Sequence, residues 1–178
     1  NFNERHLYLV YGLPFAGIFI AILYNKYDKN LNFGTNLLID SFYNYKIKIP
    51  WITVPLIFIG TILTHLFCGS AGREGTALQI SGGFSDLLLK WFGCHSNKKN
   101  ILLKAAIAGG FSAVFGTPLA GLFFAFEFFN IGKPKFKGFI SVVYVSFLAN
   151  YLTLLFGINH TSYKVGNIPQ FKWEYILY

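Results

Sequence analysis

The stretch Gly69-Ser70-Ala71-Gly72-Arg73-Glu74-Gly75-Thr76 stands between an apolar run at 51–67 and a second run at 77–92. Arg73 and Glu74 have no polar flank on either side. Charges in such a setting cost about 2.5–3.5 kcal/mol each on insertion scales, so residues of this kind face a cavity or pair with one another. Backbone that leaves the helix at membrane depth is tolerated only where it is buried in protein or lines a cavity. The glycines allow a tight turn, and the run from Thr76 to Phe92 reads as a helix. A helix start presents unpaired N–H groups and the positive end of the dipole, which together make an anion site. Glu74 places a carboxylate beside that site. It can occupy the site itself and leave when protonated or displaced, acting as gate and proton carrier in one residue. The plainer alternative is that Glu74 caps the helix or pairs with Arg73. A phosphate-binding loop is excluded: it needs G-x-x-x-x-G-K-[ST], and counting from Gly69 its sixth and seventh positions are Glu74 and Gly75.

The rest of the 178 residues agrees with a membrane setting. Charged residues are 12% of the chain, about half the usual share, while 54% is hydrophobic and mean hydropathy is +0.48. That excludes disorder, which needs low hydrophobicity and high charge, and it leaves too little polar surface for a soluble domain. Net charge is +8. The cations fall in short clusters between apolar runs, which fits membrane-flanking loops better than nucleic-acid binding. Lys133, Lys135 and Lys137 form one cluster, Lys46 and Lys48 another, and Lys98 and Lys99 the weakest; the first two are expected on the cytoplasmic side. Cys68 and Cys94 have no zinc spacing and read as reduced thiols in the membrane interior. His65, His95 and His160 are scattered without metal-ligand spacing, so neither metal nor cofactor is expected. With no Met and no evident signal peptide, the chain reads as a fragment, one domain incomplete at both ends.

Apolar runs at 7–24, 51–67, 101–115, 118–131 and 138–156 predict helices, several shorter than a full crossing. Residues 25–50 are more polar and hold one short island at 37–42; residues 159–178 read as a loop. Short hydrophobic segments interrupted by glycine point to a transporter's binding site. Gly-Gly-Phe-Ser occurs at 82–85 and again at 109–112, which predicts two close helix-packing faces. Gly34-Thr35-Asn36 opens the short island, where Thr35 and Asn36 are ordinary caps or, beside a pore, anion donors. In Gly116-Thr117-Pro118-Leu119-Ala120-Gly121, one helix ends near Phe115 and another begins at Thr117 or Pro118. Glu127 lies inside that second helix; a buried carboxylate bonded to its neighbours is the favoured reading, a proton relay the sharper one.

Gly72-Arg73-Glu74-Gly75 and Gly116-Thr117-Pro118-Leu119-Ala120-Gly121, followed by Glu127, resemble the CLC anion channels and transporters in order and interval. The family's G-[KR]-E-G-P motif begins the helix whose glutamate gates the anion path. The resemblance runs from about Leu7 to Phe156 and implies an all-α integral-membrane bundle of tilted and broken helices, of which this chain is the N-terminal half. Three departures stand out. Thr76 replaces the usual proline, Gly34-Thr35-Asn36 stands where the family has G-S-G-I-P, and Phe128 occupies the second place of the acidic pair that Glu127 opens. They are similar to the bacterial branch that includes fluoride/proton antiporters. The resemblance therefore implies transport of chloride or fluoride, coupled to protons, in a multi-pass protein of the bacterial plasma membrane. It implies Glu74 as gate and Gly72, Arg73, Gly75, Thr76, Thr35 and Asn36 around the anion, with Glu127 secondary. It also implies a homodimer with one pathway per subunit, surrounded by lipid bilayer, and no enzymatic activity or nucleic-acid partner. A passive chloride channel is the alternative. Outside the family stand a membrane enzyme using Glu74 and His65 as acid and base, and a non-transporting scaffold.

Overall fold

The structure is a computed structural model that describes residues 7–27, 34–93, 98–129, 135–158 and 160. Among them, a 3-10 helix at Leu7–Gly12 leads into seven α-helices and no strand. These are α1 (Leu13–Tyr27), α2 (Asn36–Tyr43), α3 (Thr53–Leu66), α4 (Arg73–Trp91), α5 (Lys99–Phe115), α6 (Pro118–Phe129) and α7 (Phe139–Leu155). At ~1.5 Å per residue, α3 and α6 reach only ~21 and ~18 Å, short of a ~30 Å hydrocarbon core. Among the described residues only Tyr8–Tyr27 is both long and apolar enough to cross a membrane, and little of it is fully buried.

Helix α5 is the centre, packed against α4, α6 and α7. Its two ends are set by sequence. Gly116 takes a left-handed conformation (φ 69°) and its N–H bonds back to Ser112 O. Pro118 then opens α6, where a missing N–H costs nothing because the first turn has no partner for it. Small residues let the helices close. A Cβ added at Gly110 would lie 2.6 Å from Ser81 Oγ on α4, and one at Gly121 would lie 2.7 Å from the Ala108 carbonyl on α5. Ser112 Oγ donates to Ser146 O (2.8 Å) and Ser146 Oγ donates to Pro118 O (2.7 Å), tying α5, α7 and α6 by hydroxyls that are buried and satisfied. Both Gly-Gly-Phe-Ser segments serve such faces: Gly82 meets Leu38 and Gly83 meets Val54, while Gly109 meets Val145 and Ala149. Elsewhere large apolar side chains stay uncovered, among them Phe15, Phe123 and Ile140.

One expectation of the fold needs correction: helix α4 begins at Arg73, not at Thr76, so Glu74 lies in its first turn. The turn before it falls at Cys68 (φ 58°) and Gly69, while Gly72 has an extended backbone with nothing near a would-be Cβ. Cys68 is a free thiol on the exposed surface of the chain. Cys94, His95 and Lys133 lie outside the described residues, as does most of the 159–178 segment.

Candidate functional site

Two helix starts meet at the Arg73–Thr76 segment. Gly72 is the N-cap of α4 and Thr35 that of α2, and neither makes a side-chain cap hydrogen bond. The first-turn N–H groups of both helices are therefore left without a capping side chain. Thr35 faces Gly75, and Leu38, about one turn further along α2, faces Gly82, about two turns further along α4. A Cβ on Gly75 would sit 4.0 Å from Thr35 Cγ2 and one on Gly34 3.5 Å from Gln79 Nε2. The positive ends of the two dipoles thus lie near one another, an arrangement that an anion between them stabilises.

Glu74 is exposed and its carboxylate has neither ion pair nor hydrogen bond among the described residues. Arg73 is likewise exposed and does not pair with it. Both plain readings of Glu74, cap and ion-pair partner, therefore lack a contact to carry them. Asn36 is exposed and Thr35 half-buried, without the capping bonds that would account for them. Thr76 turns to the other side of α4, where its hydroxyl shares a 3.0 Å hydrogen bond with Thr61 of α3. There an open apolar groove of about 730 Å³ runs between α3, α4, α5 and α7, with His65, Arg73 and Thr76 among its lining and Glu74 outside it. His65 and Glu74 are thus not brought to one cavity. Glu127, expected to be buried, is exposed on α6, whose buried positions are Gly121, Leu122, Ala125, Phe126 and Phe129.

Sequence reasoning passed over two things. Gln79, one turn beyond Gly75, faces the start of α2; spacing of four from Gly75 was the signal. Asp86, buried near the far end of α4, accepts the Ile49 N–H (2.6 Å) and lies 3.8 Å from Lys99 Nζ, which donates to Ile47 O (2.7 Å). Lys99 was read as a loop cation and is a buried strut. With Lys104 Nζ donating to Lys135 O (2.8 Å), these bonds gather the three basic clusters at one end of the bundle.

Short helices packed on a central α5, two neighbouring helix starts without side-chain caps and an exposed carboxylate in the first turn of one make up an all-helical bundle of the membrane-protein type. The sequence family described as voltage gated chloride channel matches residues 16–178. A chloride/fluoride channel protein of Pseudomonas syringae pv. tomato is 35% identical over 98% of this chain and 39% of its own length. An H(+)/Cl(-) exchange transporter of Citrobacter koseri is 36% identical over 49% of the chain and 18% of its own. Among solved structures, a CLC-type fluoride/proton antiporter superposes with a TM-score of 0.90 at 32% identity, covering 99% of this chain and 45% of that one. The chain belongs to the voltage-gated chloride channel (CLC) family, whose transporters are membrane proteins. It spans less than half the length of these relatives.

Proposed function

We propose that the protein of which this chain is part moves chloride or fluoride across a membrane by a CLC-type pathway, with Glu74 as gate and proton carrier. The observation that carries this reading is the side-by-side placement of two uncapped helix starts with a free carboxylate in the first turn of one of them. The N–H groups of Gly75 and its neighbours stabilise an anion, and the Glu74 carboxylate competes for the same place. Protonation of Glu74 or arrival of an anion releases it, which links anion movement to proton movement. Gly72 and Arg73 border the entrance, Thr35 and Asn36 supply donors from the α2 side, and Thr76 fixes α4 to α3 through Thr61. Antiport is favoured over passive conduction because the structural relative matching 99% of the chain is a fluoride/proton antiporter. The family's homodimer, and a secondary proton role for exposed Glu127, belong to the same proposal.

The test is the full-length protein in liposomes, with anion and proton fluxes followed together. Glu74→Gln is expected to uncouple proton movement from anion movement or to stop anion flux, with folding unchanged. Proton and anion fluxes equal to wild type in Glu74→Gln would remove Glu74 from the gate. Wild-type anion flux with no accompanying proton flux would establish the passive channel instead.

A further inference from the structure

At the basic end of the bundle, a pocket of about 270 Å³ lies between α5 and the segment that carries Lys135 and Lys137. Its wall includes Tyr45, Asn100, Lys104, Lys135 and Lys137. Lys104 is buried, with its ammonium held by the Lys135 carbonyl at 2.8 Å and resting 5.0 Å from the Phe126 ring centroid. An ammonium has three donors, and this carbonyl takes one. No Asp or Glu lines the pocket, and among the described residues none of its three lysines has a carboxylate partner. Tyr45 accepts a hydrogen bond from Asn100 Nδ2 (3.1 Å), which leaves its own phenolic proton free to donate. Tyr43 differs, because its hydroxyl proton already goes to the Phe129 carbonyl. Apart from the Asn100 Oδ1, a buried acceptor without a partner, the free polar side-chain groups are donors and positive charges, which is the chemistry of an anion receptor.

The geometry points to this pocket as a binding site for the phosphate of an anionic phospholipid headgroup. Its volume equals roughly nine waters at ~30 Å³ each, room for a phosphodiester with a small polar arm. Tyr43 in its lining is exposed, and Phe136, Phe139 and Ile140, adjacent in sequence to Lys135 and Lys137, are exposed apolar side chains that an acyl chain could meet. Aromatic residues at headgroup level and basic pockets between membrane helices are the usual surroundings of acidic lipid. Phosphatidylglycerol fits, since its arm carries hydroxyls and no charge. Phosphatidylcholine does not, since its own ammonium would meet three lysines.

The experiment uses the full-length protein in detergent, with lipid adducts counted by native mass spectrometry on addition of phosphatidylglycerol or phosphatidylcholine. Lys135→Gln/Lys137→Gln is compared with Lys46→Gln/Lys48→Gln, exposed lysines of the same end that do not line the pocket. Expected is a loss of phosphatidylglycerol binding of at least about tenfold in the first pair and less than about twofold in the second. In parallel, acetylation of Lys135 and Lys137 in the wild type is measured with phosphatidylglycerol, phosphatidylcholine or inorganic phosphate present. Protection by phosphatidylglycerol alone supports the site. Equal loss in the two lysine pairs would reduce it to a general basic surface. Equal protection by both lipids, or by none of the three additives, would overturn it, and protection by inorganic phosphate as strong as by phosphatidylglycerol would reassign the pocket to a free phosphate.

Discussion

Helix α4 carries charge near both ends, and the two ends handle it in opposite ways. At the start, Arg73 and Glu74 are exposed and unpaired, and the helix is uncapped. Near the far end, Asp86 is buried, holds the Ile49 N–H, and faces a buried Lys99. Lys99 sits at the first residue of α5, where the dipole disfavours a cation, and Asp86 supplies the opposite charge that offsets it. One end fixes the 47–49 loop in place, while the other leaves its polar groups available to something outside the chain. Charge inside an apolar bundle therefore has two uses here, and pairing is what separates them.

The contrast breaks most visibly at Asp86. Asp86→Ala strands the buried Lys99 ammonium, and removing one partner of a buried pair costs about 3–5 kcal/mol. Chemical denaturation of the full-length protein in detergent is expected to show that loss, whereas Glu74→Gln is expected to stay within about 0.5 kcal/mol of wild type. Adding Lys99→Met to Asp86→Ala should recover part of the loss, because the orphaned charge goes with it. A destabilisation by Glu74→Gln as large as that by Asp86→Ala would erase the difference between the two ends.

A smaller effect separates the glycines. Gly110→Val pushes a side chain into Ser81 and toward the Ala77 carbonyl, 3.2 Å from the Cβ position. Overpacking of this kind costs about 1–3 kcal/mol. Gly72→Ala meets nothing within 4 Å and has an extended backbone, so its stability should not change measurably while anion flux does. The same denaturation series reads both.

Most of the fold was legible because the apolar runs and their breakers are strong local signals. Gly116 and Pro118 mark the α5–α6 junction to within a residue, and the island at 37–42 becomes α2 with one residue added at each end. The start of α4 was misplaced by three residues because Arg73 and Glu74 look like breakers in an apolar context, although both form helix readily. At the site, spacing could suggest a helix start at Glu74 and another at Asn36. That the two lie side by side depends on α2 packing along Gly75 and Gly82, a tertiary fact with no periodicity to announce it. Asp86 and Lys99 were missed for the same reason: they are thirteen positions apart in sequence and meet only when α5 folds back on α4. A carboxylate inside an apolar helix reads as buried and bonded to its neighbours, yet helical periodicity places Glu127 on the face opposite Ala125 and Phe129.

Sidedness gives the next test. The basic clusters converge at one end of the bundle, and short basic loops face the cytoplasm. A Lys135→Cys variant should resist an impermeant thiol reagent in intact cells and react after lysis, with Cys68 replaced by Ser beforehand since it is exposed. Labelling from outside would place the basic end, and the Asp86 strut with it, on the outer face.

The smallest expected effect is the one that sharpens the comparison most. Thr35 and Asn36 stand at the start of α2 without a side-chain cap bond. If capping were their role, Thr35→Ser and Asn36→Ser would be nearly neutral in every measurement, because all three residue types cap well. If they donate to an anion, stability still changes by less than about 0.5 kcal/mol, but the ratio of fluoride to chloride flux moves severalfold. Fluoride is small and strongly hydrated, so its passage depends on donors that approach closely, and a hydroxyl in place of an amide alters both reach and strength. Ion-selective electrodes on liposomes holding full-length wild type, Thr35→Ser and Asn36→Ser read the two fluxes side by side. Thr35→Ser keeps its hydroxyl and serves as the conservative control, whereas a ratio unchanged in Asn36→Ser would take the Asn36 amide out of the anion site. A wild type that carries chloride in preference to fluoride would keep both helix starts and exchange the ion they serve.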